Sequence, residues 1–494
     1  MDDRLELSRL TGGGDGAAVV TALDSLTLVI EAPPERARAR ENQVALYNLV
    51  SSAARLFAHI ELRLPAGIAA ELAPLARGDL LDELRRLHVH LAPTPAAEPT
   101  RELHLAWGMH PSGDGLTGDA SGWTYSVGLQ HLPFAHTGGP PVGAIAASSF
   151  MVAQAFGRAL EGQLPFHATP GFVANLLDYQ NEPAPSVAAD AGFKLGELAI
   201  LGCGSVGSSA IYAAVLAGIR GGPTELVDPD SFRARNKLRY PVLREVVEEA
   251  KVEWLGELVD MAGIKAHPHR ADIQSFLGEY DKAPVIPLAL VSVDTVEGRR
   301  DATDVLARRT LNAGVAGMQL HVARHSFGEG GCAYCQYVDV APTLSGAQAL
   351  AEMVGLAVER VIAIKEVAGG FISEADAQAM AQSGRFAGEA PRGGDRLADL
   401  QRRIYAQAAV QTPQGEVLVS TPFVSAMAGL LLLVEALKEA DERLHAYRLN
   451  GRFDLDMSGE PPGFSAAPVR DQTGRCLCRS PFRRRAYRRL HGAA

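Results

Sequence analysis

The chain has 494 residues, 21% of them charged and 47% hydrophobic, with 47 Lys+Arg against 57 Asp+Glu. That length has room for two or three domains and a substantial core, and a net charge of −10 gives no global attraction to nucleic acid. The most apolar run, Phe423–Leu437, is broken by Ser425 and Glu435 and falls short of the ~20 apolar residues of a membrane helix. The N-terminal segment is acidic and lacks a signal-peptide pattern. Five cysteines in a chain of this length do not make a disulfide framework, so a reducing, cytoplasmic setting is expected.

In chain order, residues 1 to about 190 alternate apolar strands (Leu26–Ile30, Leu103–Trp107) with helical stretches such as Gln43–Leu62. Gly12–Gly16 is glycine-rich but follows no strand, so it reads as flexible and not as a phosphate loop. Near the end of this half, Pro140-Pro-Val-Gly-Ala-Ile-Ala-Ala leads into an apolar helix reaching Leu160. Pro422-Phe-Val-Ser-Ala-Met-Ala-Gly leads into another reaching Lys438. The two match at a constant offset, Val142 with Val424, Ala144 with Ala426 and Ala146 with Ala428. The match predicts that the first half is a degenerate copy of the second, giving two pseudo-equivalent α/β units in one chain. A Pro/Ala-rich connection, Glu182–Ala191, separates them.

The second half opens on its most informative stretch. Glu197-Leu-Ala-Ile-Leu runs into Gly202-Cys203-Gly204-Ser-Val-Gly207, a strand feeding a G-x-G-x-x-G loop and a helix. Such a loop offers backbone N–H groups and a helix N-terminus to phosphate. Thr224-Glu-Leu-Val-Asp228-Pro-Asp230 follows as a second strand, ending about 20 residues on in an acid of the kind that accepts hydrogen bonds from ribose hydroxyls. A dinucleotide dehydrogenase shares all of this. Asn236 and Arg239, just beyond, do not suit a nicotinamide site; a polar and a cationic group there can reach a triphosphate.

Val242–Leu258 has helical periodicity, with Val247, Leu255 and Leu258 on its apolar face. Lys251 falls on that helix, either as one lysine of a solvated face or as a further phosphate ligand. Pro287–Arg299 reads as a buried parallel strand delivering Asp294 at its carboxyl end, where ligands sit in a doubly wound sheet. Asp294, alone or with Asp230, suits a magnesium ion that carries nucleotide phosphates and keeps its waters.

Cys332-Ala-Tyr-Cys335 and Cys476-Leu-Cys478 supply two close pairs of soft ligands. They read as a closed tetrahedral zinc site pinning the C-terminal region to its domain, or as unrelated buried thiols. Cys203, inside the glycine loop, reads as a small space-filler. The tail carries Arg479, Arg483, Arg484, Arg485, Arg488 and Arg489, either a landing strip for an acidic partner or a frayed basic end.

The order of these elements resembles the ThiF family, the adenylyltransferases that activate ubiquitin-like proteins and the sulfur carriers of thiamine and molybdopterin synthesis. The resemblance spans about residues 193–480. It implies a Rossmann-like, doubly wound α/β adenylation domain over 193–480 with a crossover segment 336–421. An inactive adenylation-like α/β domain over 1–185 would precede it as a built-in dimer partner, and a basic tail, 481–494, would follow. It implies ATP, Mg²⁺ and structural Zn²⁺. Gly202, Gly204 and Gly207 would form the phosphate loop, and Asp228 would hold the ribose beside Asp230. Asn236, Arg239 and Lys251 would contact the triphosphate and Asp294 the magnesium. Two positions depart from the family: Tyr240, where glutamine is common, and the C-x-C spacing of the second cysteine pair.

By the same resemblance the reaction is attack of the C-terminal carboxylate of a ubiquitin-like (β-grasp) protein on the α-phosphate of ATP. The extra N-terminal half and the Ala/Arg/Gly-rich composition favour a prokaryotic conjugation pathway with a conjugating enzyme as the next partner. Neither a membrane nor a nucleic acid is expected as a partner, and a further homodimer is compatible with the built-in one. The alternatives are a sulfur-carrier adenylyltransferase, an NAD-dependent oxidoreductase, which leaves Arg239, Lys251 and the cysteine pairs idle, and a scaffold with a vestigial nucleotide site. The interval Gln336–Thr421 holds no cysteine to receive an acyl group. Its hydroxyls include Thr343, Ser345, Ser373, Thr412, Ser420 and Thr421, with Thr412 nearest the family's position. A hydroxyl is a poor nucleophile without a base, so direct hand-off of the adenylate is the favoured expectation.

Overall fold

The computed structural model describes Arg4, Leu7, Leu10 and residues 16–492, apart from 133–138, 162–169, 186–191, 244–247, 281, 328–330, 339–349, 352–353, 368–369, 384–389, 398–399, 401–420, 460, 462 and 468–469. Two compact units appear: residues 1–336 with 419–494, and residues 337–418. The fold is mixed α/β, with two largely parallel sheets in the larger unit. Among the described residues no helix is long and apolar enough to cross a membrane.

The N-terminal half comprises α1 (Gly16–Asp24), β1 (Leu26–Glu31), α2 (Pro34–Arg38), α3 (Arg40–Ala53), β2 (His59–Arg63), α4 (Leu80–Leu91), β3 (Arg101–Trp107), β4 (Gly115–Ser121), β5 (Thr124–Gly128), α5 (Val142–Ala159) and β6 (Gly171–Asn175). Its sheet runs β2-β1-β3-β4-β5-β6. The first four strands are parallel, and β5 and β6 are antiparallel. Local chemistry sets the ends: Asp79 caps α4 by accepting from the Asp82 N–H at 3.2 Å. The predicted helix Gln43–Leu62 is corrected here. Helix α3 ends at Ala53 and the chain then enters β2, because the alternation of His59-Ile-Glu-Leu-Arg63 suits an edge strand. Of the glycine-rich stretch, residues 12–15 lie outside the described residues, and Gly16 begins α1.

In the second half come β7 (Lys194–Leu195), β8 (Leu198–Leu201), α6 (Ser205–Ala217), β9 (Arg220–Val227), α7 (Lys251–Met261), β10 (Ile264–His269), α8 (Ile273–Gly278), β11 (Leu288–Val291), α9 (Val296–Asp301), β12 (Arg309–Ala316) and β13 (Gln319–His325). The separate unit, residues 337–418, contains α10 (Val358–Glu366) and α11 (Glu374–Gln382). Leu350, Val354, Val361, Ile364, Met380 and Leu400 form its own apolar cluster. The larger unit resumes with α12 (Pro422–Ala440), β14 (Arg452–Asp456), β15 (Phe464–Ala466) and α13 (Pro481–His491).

The second sheet runs β10-β9-β8-β11-β12-β13-β14-β15, with β7 also on β9. Pairing is parallel from β10 to β12 and antiparallel thereafter. Its segment β9-β8-β11-β12-β13-β14 therefore repeats the order and sense of β2-β1-β3-β4-β5-β6, with α6 in the place of α3 and α12 in the place of α5. Where β8 opens into the glycine loop, β1 opens into Ala32-Pro33-Pro34, and a proline has no N–H to give a phosphate.

Helix α12 is buried almost along its whole length and lies against both α6 and α5; Phe423 meets Phe156 of α5 with ring centroids 5.7 Å apart. Gly429 packs onto α6 of its own half, where an added Cβ would lie 2.4 Å from Ala210 N. A buried polar knot crosses the halves: Glu435 accepts from Tyr179 Oη and from Lys438 Nζ, each at 2.6 Å, and from the Leu449 N–H at 3.0 Å.

Three further expectations are corrected. The helix predicted over Val242–Leu258 begins only at Lys251, since Phe232 N and Lys251 N are drawn to Glu249 O and Asp230 O in a return turn; Val247 lies outside the described residues. The strand expected to reach Asp294 stops at Val291. The basic tail is the helix α13 and is not frayed: Tyr487 is buried against Phe327 and donates to Arg308 O at 3.0 Å, and Arg483 pairs with Asp304.

Candidate active site

The glycine loop, Asp228 and Ser292 sit at the carboxyl ends of β8, β9 and β11, and the turn holding Asn236 and Arg239 and the start of α7 follow β9. Past Leu201 the chain turns at Gly202, whose φ of +92° excludes most side chains. Gly207 is needed for a different reason: an added Cβ would stand 2.1 Å from Gly202 O and 2.5 Å from Ser292 Oγ. At Gly204, the N-cap of α6, a Cβ would meet nothing nearer than Tyr240 Oη at 3.9 Å, so the backbone faces open space. No side chain caps α6 there, which leaves its first N–H groups for an anion. Ser292 Oγ donates to Gly202 O at 2.5 Å and ties the loop to the end of β11.

Asp228 follows β9 and is buried. Its carboxylate accepts from Cys203 N at 2.7 Å and Asp230 N at 2.8 Å, so it clamps the glycine loop to the second strand. Lys251 opens α7 with its side chain turned inward, 3.2 Å from both Asp228 Oδ1 and Asp230 Oδ2; the solvated-face alternative is thereby corrected. Burial pushes the Asp228 carboxyl above its ordinary range, with Lys251 offsetting only part of that cost. The Lys251 ammonium is held well above its usual range despite burial, because the Asp228 and Asp230 carboxylates lie beside it.

Asn236 lies in the short 3₁₀ turn Ala234–Leu238 and accepts from Arg233 N at 2.7 Å. Arg239, at the C-cap of that turn, is half-buried, and among the described residues its guanidinium has neither an ion pair nor a hydrogen-bond partner. Asp294 is exposed in the loop before α9. Tyr240, noted in the sequence only as a departure, faces the glycine loop. Burial raises its phenol, and its Oη lies 3.9 Å from a Cβ placed at Gly204. Its ring stands edge-on to Phe232, centroids 5.6 Å apart. Cys203 is buried with its thiol pushed up by burial, as a space-filler would be.

Asp230 and Asp294 are both exposed carboxylates near this loop, and a nucleotide-bound magnesium needs only one or two such groups. Among the described residues the one group of three or more metal-type ligands is Cys332, Cys335, Cys476 and Cys478. All four are buried and reduced. Cys332 Sγ lies 3.4 Å from Cys476 Sγ and 3.9 Å from Cys335 Sγ; Cys335 Sγ lies 3.6 Å from Cys476 Sγ and 3.5 Å from Cys478 Sγ. A tetrahedral zinc with Zn–S near 2.3 Å needs edges of about 3.8 Å, so the four thiols fit the ion. Asp471 supports the second pair by accepting from Cys476 N at 2.7 Å.

Of the hydroxyls weighed for acyl transfer, Thr343, Ser345, Thr412 and Ser420 lie outside the described residues. Ser373 is committed to a capping box with Asp376, and Thr421 is buried at the N-cap of α12.

No family model matches the chain. An uncharacterized protein, y4jF, of Sinorhizobium fredii (strain NBRC 101917 / NGR234) is 26% identical over 369 residues, covering 71% of this chain and 70% of that protein. Among solved structures, E. coli MccB with ATP is 16% identical with a TM-score of 0.33, covering 57% of this chain and 66% of that one. The Microcin C7 biosynthetic enzyme MccB in complex with N-formylated MccA is 16% identical with a TM-score of 0.34, covering 57% of this chain and 67% of that one. In the ATP complex the likeness spans just under two thirds of the MccB chain.

Proposed function

We propose that the C-terminal half binds MgATP and adenylates the C-terminal carboxylate of a peptide or small protein. The observation that carries this reading is the clamp, at the ends of parallel strands β8 and β9, that joins an uncapped glycine-loop helix to the buried Asp228–Lys251 pair, with Tyr240 Oη 3.9 Å from a Cβ placed at Gly204 and Arg239, unpaired among the described residues, next to it in the chain. A carboxylate oxygen attacks the α-phosphorus; the bond to the bridging oxygen of the β-phosphate breaks, and pyrophosphate leaves with the electron pair. No proton moves, because the carboxylate is already ionised at neutral pH. The site's task is to offset repulsion between anions, and Arg239 with the α6 N-terminus does so where charge develops. Magnesium would supply further neutralisation of the phosphates, with Asp294 and Asp230 as its protein ligands. Asp228 orders the loop and accepts from the ribose, while Lys251 holds the two aspartates in place.

The finer reading is a ubiquitin-like protein ending in glycine, activated for a conjugating enzyme, with a sulfur carrier as the alternative acceptor. The family resemblance of the motif order supports it. The N-terminal half is then an inactive adenylation-like partner within the chain, a reading supported by the matching strand order and by Pro33 and Pro34 in place of the glycine loop. The test is exchange of labelled pyrophosphate into ATP, with and without a small β-grasp protein ending in glycine. Exchange that requires the carrier supports the reading. A chain that binds NAD and not ATP, or binds ATP without exchange for any carboxyl-terminal acceptor, overturns it.

A further inference from the structure

We propose that Arg55, which belongs to the N-terminal half, is the positioning residue for the candidate nucleotide loop of the C-terminal half. The role rests on the nucleotide reading of that loop. Arg55 follows α3 and is buried. Its Nη1 donates to Lys237 O, and its Nη2 donates to Leu243 O and, at 3.1 Å, to Pro241 O. Ser51, one turn earlier on α3, adds a hydrogen bond to Pro241 O at 3.3 Å.

These carbonyls bracket Arg239 and Tyr240, and Asn236 stands just before the first of them. One guanidinium thus gathers both arms of the turn that presents the polar groups of the site. Among the described residues no carboxylate pairs with Arg55, so its charge is spent on backbone carbonyls. A planar fork with several fixed donors can satisfy three carbonyls at once; an ammonium offers a single point. Burial pulls the Arg55 pKa down to about 10, so it still carries its proton at neutral pH.

The same helix touches the other end of the phosphate element. Arg40, the first residue of α3, donates to Ala217 O at 3.2 Å and Leu216 O at 3.0 Å, in the last turn of α6. A cation there complements the helix whose opposite end faces the anion site. Helix α3, the topological counterpart of α6, therefore fastens both the tail of the phosphate helix and the Arg239 turn. The copy that lacks a phosphate loop serves as the brace for the half that has one.

The test uses the full chain and the ATP analogue AMPCPP with magnesium, titrated against wild type, Arg55→Lys, Arg55→Ala and, as control, Arg4→Met. Arg4 is another buried arginine of the same half, paired with Asp24 and donating to Leu56 O and Thr94 O. Loop misplacement of about 1 Å can cost up to ~100-fold. Arg55→Lys is therefore expected to fold and to bind the analogue about 10- to 100-fold more weakly. Backbone amides over 238–243 should exchange hydrogen faster in that variant while those of β8 do not. Millimolar guanidinium should restore analogue binding to Arg55→Ala. Arg4→Met should lower Tm and leave the analogue affinity unchanged. Wild-type binding with both Arg55 variants unaffected overturns the positioning role alone, as does an equal loss in Arg4→Met. A wild-type chain that binds no analogue overturns the nucleotide reading, and this role with it.

Discussion

The Nζ of Lys251 lies 3.2 Å from Oδ1 of Asp228, with both side chains nearly withdrawn from solvent. The pair joins the start of α7 to the end of β9, and through Cys203 N it reaches the glycine loop. Its observed bonds hold the protein's own carboxylates and loop in place. Lys251→Met leaves the Asp228 carboxylate buried without its cation, so unfolding by urea should show a loss of about 3 kcal/mol. A variant as stable as wild type would show that the Cys203 and Asp230 N–H groups and solvent suffice for the Asp228 carboxylate.

Arg239 behaves oppositely. It is half-buried and unpartnered among the described residues, so Arg239→Ala should leave the urea midpoint unchanged. Carrier-dependent pyrophosphate exchange should fall by about 10²–10³, the cost of removing one preorganised charge from a transition state. Full exchange in that variant would remove Arg239 from the site.

Gly429 tests the packing that sets the phosphate helix. A Cβ at this position meets Ala210 N and the Ser209 backbone carbon at 2.4 Å, and neither backbone atom can rotate away. Gly429→Ala should therefore displace α6 and cost about 1–3 kcal/mol, the usual range for overpacking. Nucleotide affinity should fall with stability. Gly204→Ala, where the space is open, should spare stability and weaken only the nucleotide.

For the thiols, elemental analysis of the purified chain should find one zinc per chain. Cys476→Ser should lose it. Removal of the metal by a chelator should lower Tm by on the order of 5–10 °C, since metal affinity is here folding free energy. The segment Asp471–Arg479 should be the first to gain hydrogen exchange, because its order depends on two of the four ligands.

Glu41 gives a pH dependence outside the candidate site. Burial raises its carboxyl to about 7, against a single accepted hydrogen bond from Gly122 N at 2.6 Å. A raised acid favours the folded state only while protonated. Its contribution is full below the ordinary glutamate pKa near 4.5 and is lost as pH climbs through 7. Glu41→Gln keeps an acceptor for Gly122. It should match wild type at pH 4.5 and exceed it at pH 8 by on the order of 1–2 kcal/mol in urea unfolding.

Strand–loop–helix chemistry was legible along the sequence because it is local. Gly202, Gly204 and Gly207, the acid ending β9, the turn holding Asn236 and Arg239, and the two cysteine pairs each sit within a few residues of the backbone feature that requires them. The apolar helix α12 was legible for the same reason: length and composition announce a buried helix whatever it packs against. Periodicity misplaced element ends at Gln43–Leu62 and Val242–Leu258, where backbone pairing with distant strands and turns outweighed helical spacing.

What only the tertiary structure decided is which long-range partners meet. Lys251 turns inward because Asp228 and Asp230 lie where α7 begins. Tyr240 comes to face the glycine loop, its Oη 3.9 Å from a Cβ placed at Gly204, because the turn after β9 folds back over that loop. Arg55 acquires its place more than 180 residues along the chain, at Lys237, Pro241 and Leu243. A lone arginine in a buried helix carries no sequence mark of the carbonyls it will gather. Hydrogen bonds of that kind are specified by the shape of two folded halves, and no local pattern encodes them.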